Sequence, residues 1–587
     1  MFKRIFKKIH YWRTRYISNH TFVIISASIV GIVSALAAVL LKTIVNYLHE
    51  IPKFFQDYET YNLWLIIFPV SGILISIFII KVLFKSRFEK GLGSILYSIS
   101  HKSSKIEGRN TYSHLITSGI TVGLGGSAGL EAPIVITGSA IGSNISDFFS
   151  LGQKERTLLL ACGAASGIAA VFNSPIAGVI FALEVLLYDF AIPTFIPLLI
   201  STASATIVSK LLYSGQLFYL ISNNWYFHAI PFYIALGILC GFLSVYMQRI
   251  TLKIEGYFGK KPGFLKISLG VFLLGSIIFV LPPLFGEGYT SIEILLKGNF
   301  SEILNNSLFG QFSQNPWFIL IFVGAIILTK VIATALTIGS GGNGGIFAPS
   351  LFTGAFMGFG LSYFVNTTGI SDLNISNFIV VGMAGVLSGV VHAPLTAIFL
   401  IAEITGGYVL FVPLMIVSAL AYFTTRIFEP HSIYTKSLAL KGYLMTDDKD
   451  SNVLMTLKVA DLIEKDFVVL NQNDSLRKLI TAFSNSNRTL FPVVNDENEI
   501  VGVIYLYKVK DLLFKSELYD SMIIRELVDD IIKIEISENM ESVMTKFEKS
   551  NLWNIPVVET NHYVGFISRS NIFTYYRRTL KKTKSFF

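Results

Sequence analysis

Glu131 is a lone carboxylate in a glycine-bounded stretch, Gly129-Leu-Glu-Ala-Pro133, set in a long apolar part of the chain. A second stretch, GSGGNGGIFAPS at residues 339–350, carries five glycines in similar surroundings. Glycine at that density breaks a membrane helix. A broken helix exposes backbone N–H groups at a new N-terminus, where the helix dipole is positive and an anion is favoured. Proline suits the first turn, because its missing N–H costs nothing there. A carboxylate among such amides competes with a permeant anion for them, and protonation removes the competition. The plain alternative for Glu131 is a helix-capping carboxylate.

The two stretches belong to a duplicated unit. GLEAPIVITGSAIG at 129–142 aligns without a gap on GIFAPSLFTGAFMG at 345–358, pairing Gly129, Ala132, Pro133, Thr137, Gly138 and Gly142 with Gly345, Ala348, Pro349, Thr353, Gly354 and Gly358. NSPIAGVIFALEV, from Asn173, matches HAPLTAIFLIAEI, from His392, with Pro175 on Pro394 and Glu184 on Glu403. Two matches in the same order argue for two repeats. Transporter repeats often meet at a midplane site made of discontinuous helices. Unpaired amides at that depth are tolerable only where protein or a water-filled cavity surrounds them.

Composition supplies the setting. The 587-residue chain is 52% hydrophobic and only 14% charged, where soluble domains carry about 25%. Apolar stretches at Phe22–Leu41, Leu63–Ile80, Phe232–Tyr246, Ile267–Leu284, Trp317–Ile338 and Phe411–Tyr422 approach membrane-spanning length. The first lacks a small-residue cleavage site and reads as a retained helix rather than a signal peptide. Lys3, Arg4, Lys7, Lys8, Arg13 and Arg15 precede it, and no acidic residue comes before Glu50. The positive-inside rule therefore places the N-terminal segment, residues 1–20, in the cytoplasm. Beside a first span, that cluster is not read as a nucleic-acid site. Cys162 and Cys240 read as buried small hydrophobes.

At these residues the chain resembles the CLC family of chloride channels and proton/chloride exchangers. The family's GREGP element is GLEAP here, GGIFAP is intact at 344–349, NAPLAG reads NSPIAG at 173–178, and APLTAI is intact at 393–398. Tyr434, in SIYTKSL, matches the family's pore tyrosine. The resemblance covers roughly residues 20–440 and implies an all-α polytopic membrane domain, about 21–440, of two inverted repeats with broken helices. It implies a homodimer in the cell membrane, with one chloride pathway per subunit. Glu131 would be the gate. Gly129, Gly345, Ile346 and Phe347 would line the anion site with backbone groups, and Tyr434 would offer its hydroxyl. As an alternative, Tyr434 is an interfacial anchor.

The chain departs from the family twice. The pore-serine string GSGIP is absent. In its place, EKGLGSIL at 89–96 aligns Lys90 with the serine, while a slipped register would use Ser94. Lys90 also belongs to a basic cluster with Lys81, Lys85 and Arg87, as a cytoplasmic loop would. The exchangers carry two adjacent glutamates after NAPLAG, and the second relays protons. Here the pair is Glu184–Val185. The repeat mate Glu403 suggests that Glu184 is structural.

Beyond Tyr434 the composition changes. A polar linker, 441–456, leads to two similar α/β units, 457–515 and 521–580, with Pro492 matching Pro556 and Gly502 matching Gly565. They resemble a pair of CBS domains and are expected in the cytoplasm. Such pairs can bind adenine nucleotides through a Ser/Thr and an Asp after a strand. The first unit has Tyr505 and Lys508 at those places and the second Ser568 and Asn571, so the carboxylate is missing twice. A structural pair is favoured over a nucleotide sensor. No cofactor or metal site is expected.

The favoured function is passive chloride conduction gated by Glu131, with proton-coupled chloride exchange as the alternative. A CBS-bearing cation transporter fits less well, since cation pathways use acidic rings. An enzyme is not expected: there is no nucleophile–base pair and no P-loop, and His101, His114 and His392 are isolated.

Overall fold

In a computed structural model, the structure describes residues 18–56, 63–84, 91–187, 192–213, 224–304, 307–439, 457 and 459–584. Lys90 and the linker at 441–456 lie outside the described residues, as do Lys85 and Arg87 and the basic residues before Ser18. The chain divides into two compact units at residues 441/442.

The first unit is helical throughout. Its first repeat region comprises α1 (Asn19–Gln56), α2 (Trp64–Val82), α3 (Gly93–His101), α4 (Asn110–Gly123), α5 (Glu131–Phe148), α6 (Gln153–Phe172), α7 (Pro175–Phe181) and α8 (Ile192–Leu212). A π-helical turn, Ala182–Leu186, continues α7. Then follow α9 (Ile230–Gly259), α10 (Gly263–Val280), α11 (Tyr289–Leu296), α12 (Pro316–Ser340), α13 (Phe347–Thr367), α14 (Ile375–Val391), α15 (Pro394–Ile404), α16 (Phe411–Phe428) and α17 (Ile433–Ala439). Among the described residues nine helices are long and apolar enough to cross a membrane. Three of them, α6, α8 and α13, escape an apolar-stretch reading of the sequence. In α6 and α13 the reason is plain: these helices pack against protein, and small or polar residues such as Ala, Gly, Ser and Thr dilute their apolar character.

The duplication is visible as repeated packing. Helix α5 crosses α6, and α13 crosses α14, so closely that side chains are excluded. A Cβ on Gly142 would lie 1.9 Å from the Leu159 carbonyl oxygen, and one on its mate Gly358 would lie 1.9 Å from that of Phe378. Small residues that let helix backbones meet are the usual membrane packing device. The residues ending α6 and α14 also correspond: Asn173 and His392 both turn left-handed, with φ of 56° and 60°. Both cysteines are fully buried.

The second unit contains two three-stranded sheets of the same design. In the first, β1 (Leu470–Asn471) runs parallel to β2 (Leu490–Val494), which pairs antiparallel with β3 (Ile500–Tyr505). In the second, β4 (Ile534–Glu535), β5 (Asn554–Glu559) and β6 (His562–Ser568) repeat that order. Pro492 pairs only with Val503 of β3, because β1 reaches no further than Val493, so its missing N–H breaks no ladder bond. Amphipathic helices Leu476–Ser484 and Met540–Ser550 bury Leu476 and Leu479, and Val543 and Phe547, against the sheets.

Candidate anion pathway and gate

The two glycine-rich stretches are helix breaks. Helix α4 ends at Gly123 and α5 starts at Glu131; α12 ends at Ser340 and α13 starts at Phe347. The breaks meet each other. Gly129 donates to the Gly345 carbonyl at 2.8 Å, and Gly345 donates to that of Gly129 at 2.7 Å, an isolated antiparallel bridge. A Cβ on Gly345 would stand 2.6 Å from that of Ala132, so the approach requires glycine.

The bridge sets two helix N-termini side by side. Glu131 is the first residue of α5, yet its side chain reaches the start of α13. The Ala348 amide donates to Glu131 Oε2 at 3.3 Å, and the Tyr289 hydroxyl donates to Oε1 at 2.6 Å. The carboxylate is 1% exposed. It thus occupies the place an anion would take at the α13 N-terminus. Ile346 and Phe347, at the N-cap and first position of α13, carry N–H groups that have no carbonyl a turn earlier to receive them.

Tyr434, on α17, is buried, and its hydroxyl has no hydrogen-bond partner among the described residues. A buried hydroxyl without a partner costs free energy on the order of 1–3 kcal/mol, which a bound anion would recover. The segment expected to replace the pore serine comes to this tyrosine: a Cβ on Gly93 would lie 3.3 Å from the Tyr434 carbonyl oxygen. Ser94 donates to the Gly91 carbonyl at 2.9 Å.

Four residues that the sequence reading passed over make up the polar region around Glu131 and Glu287. Besides Tyr289, Glu287 accepts from the Leu130 amide at 3.3 Å. Lys330, fully buried, donates to the Gly286 carbonyl at 2.9 Å and lies over the Phe352 ring. Lys42, also buried, donates to the Ala170 carbonyl at 3.3 Å and lies over Tyr213. Two basic and two acidic side chains thus share one buried region, where opposite charges are tolerated best beside each other. When Glu131 takes a proton, one negative charge is removed from this region, which favours a nearby anion. The signal for the lysines was present: each interrupts an apolar helix, and an intramembrane ionisable residue is a functional candidate by default.

Glu184 is a cap. It accepts from the Leu395 amide at 3.0 Å, the Thr396 amide at 2.7 Å and the Thr396 hydroxyl at 2.6 Å, all at the start of α15. Its repeat mate does the converse: Glu403 accepts from the Ile176 and Ala177 amides of α7 at 3.1 and 2.9 Å. Val185 follows Glu184 in the π-helical turn, half-buried.

In the soluble unit, the groups at the nucleotide-contact places are engaged internally. Lys508 pairs with Asp529 at 2.6 Å, Ser568 donates to Glu464 at 2.5 Å, and the Asn571 side chain donates to the Leu462 carbonyl at 2.8 Å.

A duplicated helical membrane unit whose broken helices bring amides to one buried carboxylate defines an anion-handling membrane protein. The voltage gated chloride channel family model matches residues 71–426, and the CBS domain model matches 459–515 and 524–578. The chain therefore belongs to the voltage gated chloride channel (CLC) family, membrane proteins of chloride transport, and carries a CBS pair. It is 28% identical over 384 residues to a putative chloride channel protein, ClcB-like, of Ralstonia nicotianae, covering 63% of this chain and 84% of that protein. It is 29% identical to chloride channel protein CLC-f of Arabidopsis thaliana, covering 66% of this chain and 55% of that one. It is 31% identical to the H(+)/Cl(−) exchange transporter ClcA of Yersinia pestis, covering 54% of this chain and 66% of that one. The chain thus spans about half the length of the plant relative and just under two thirds of the exchanger. Among solved structures, a slow cyanobacterial Cl−/H+ antiporter matches with a TM-score of 0.60 at 23% identity, covering 72% of this chain and 99% of that one. A eukaryotic CLC transporter matches with a TM-score of 0.59 at 19% identity, covering 94% of this chain and 97% of that one. At these identities the structures speak to the fold.

Proposed function

We propose that the protein moves chloride across the cell membrane through a pathway gated by Glu131. The observation that carries this reading is the Glu131 carboxylate held by the Ala348 amide at the α13 N-terminus, in the place of an anion. In this reading Ile346 and Phe347 present amides, Tyr434 presents its hydroxyl, and the Gly129–Gly345 bridge holds the two helix starts in register. Protonation of Glu131 weakens its claim on the amides and admits chloride. The working unit is a homodimer, with the N-terminal segment and the CBS pair in the cytoplasm. The CBS pair is structural and takes no adenine nucleotide.

Transport is conductive, without fixed proton coupling. Val185 cannot accept a proton, and Glu184 spends its oxygens on the start of α15. A second reading, proton-coupled exchange, is favoured by the relatives and structures named as exchangers and antiporters. It would need water, rather than a side chain, to carry protons past Val185. The deciding experiment imposes a chloride gradient on liposomes containing the protein and follows proton movement. Chloride efflux without uphill proton flux supports conduction; a fixed chloride-to-proton ratio establishes exchange.

A further inference from the structure

We propose that a cavity at the end of α1 is a proton entrance to the gate, separate from the anion route, and that Glu287 is its relay. The proposal rests on the reading of Glu131 as the gate. Glu131 itself is 1% exposed, so a proton from solution must pass other groups to reach it. Two polar residues beside it offer a path. Tyr289, which donates to Glu131, and Glu287, which accepts from the amide next to Glu131, both line a cavity of about 330 Å³ and are only half-buried. His49, Trp64, Thr290 and Ser291 also line it.

The loop that carries Glu287 is pinned. Gly286 and Gly288 on either side have φ of 61° and 92°, and a Cβ on Gly288 would strike the Phe352 ring at 2.4 Å. Gly286 also donates to the Gly125 carbonyl at 3.0 Å. The carboxylate is therefore fixed between cavity and gate. The charged and titratable groups facing it or sharing its cavity are Glu131 on α5, Lys42 and His49 on α1, Lys330 on α12, Tyr289 on α11 and Glu302 on the short turn Phe300–Leu304. Lys42 and Lys330 stand beside the carboxyl groups, and a proton moved from Glu287 to Glu131 leaves the net charge of the group unchanged. A hydronium ion in the cavity protonates Glu287 and leaves water; Tyr289 passes its hydroxyl proton to Glu131 and is reprotonated from Glu287, so Glu287 and Tyr289 end as they began and Glu131 holds the proton.

A merely structural Glu287 would cap the Leu130 amide, and glutamine would do that equally well through its carbonyl oxygen. This separates the roles. In planar bilayers, chloride current is followed after a step to acid on the cavity side. Glu287→Gln is expected to slow the rise on the order of tenfold, the scale of a lost proton-transfer group, while current at saturating acid stays at the wild-type level. Glu287→Asp restores the fast response. Glu131→Gln abolishes the response to acid. If Glu131→Gln still responds, the gate reading fails. If Glu131→Gln is silent and Glu287→Gln rises at wild-type speed, the relay alone is overturned. Should Glu287→Gln not fold, Thr290→Trp, at the exposed rim, narrows the entrance and must slow the response; wild-type speed there overturns the proposal.

Discussion

Gly129 and Gly345, 216 positions apart in sequence, exchange both of their backbone hydrogen bonds. The pairing is antiparallel, as two repeats of opposite direction require. It places the side chain of Glu131, the first residue of α5, on the Ala348 amide of the other repeat.

Glu131→Gln keeps the shape and removes the titration. Its amide binds the α13 N-terminus less well than a carboxylate does. Chloride efflux from liposomes should therefore lose its dependence on pH and run at or above the wild-type maximum. Retained pH dependence would remove Glu131 from the gate.

The helix crossings make a sharper structural prediction. Gly358→Val must push a Cβ into the Phe378 carbonyl, at a separation of 1.9 Å. Overpacking of this kind costs about 1–3 kcal/mol, and more where backbone is the obstacle. Gly324→Val, where nothing lies within 4 Å, is the control. Detergent-solubilised Gly358→Val should melt lower than Gly324→Val by several degrees; equal melting temperatures would contradict the close crossing.

Glu403→Ala leaves the Ile176 and Ala177 amides without their acceptor. Hydrogen bonds to a charged group are worth about 1.5–3 kcal/mol each, so faster amide exchange is expected at the start of α7, which the cap holds from the other repeat. Chloride efflux with unchanged pH dependence is expected to accompany it. A changed pH profile would mean that the capping glutamates take part in proton handling.

The soluble unit carries a pH-sensitive clamp. The Arg488 guanidinium bonds Asp466 at 2.6 Å and Glu464 at 3.0 Å. The Arg488 hydrogen bond, first, and its charge hold the Asp466 carboxyl below its ordinary value of 3.8. A depressed carboxylate stabilises the fold above its unfolded value, and that contribution disappears as pH falls through the folded one. Asp466 is mostly exposed, so the effect is small, at most about 1 kcal/mol. Arg488→Met should speed amide exchange in β2 and β3 at neutral pH, with the difference from wild type closing in acid below 3.8. The guanidinium also lies over the Phe467 ring, so an equal difference at both pH values would assign the effect to that lost packing.

The repeat, the helix breaks and the CBS pair were legible in the sequence because each is a local pattern carried by glycine, proline or alternation. Glu131 was legible for the same reason, as a charge inside such a pattern. Tyr289 and Glu287 were not: they lie in the short GEGYT stretch that leads into α11, and only the tertiary fold brings them to Glu131 and its neighbour Leu130. Lys42 and Lys330 were visible as charges in apolar helices, but nothing local tells which carboxylates they face. The role of Glu184 could be suspected from its mate Glu403. That each serves the other's repeat is a property of the assembled pair.

The crossed capping by Glu184 and Glu403 means that neither half of this domain is self-sufficient. A half expressed alone would start its own short helix with amides aimed at nothing and carry a carboxylate with no helix to receive it. Two copies facing opposite ways supply each other. Splitting the chain between α8 and α9 should therefore yield fragments that fold only when made together.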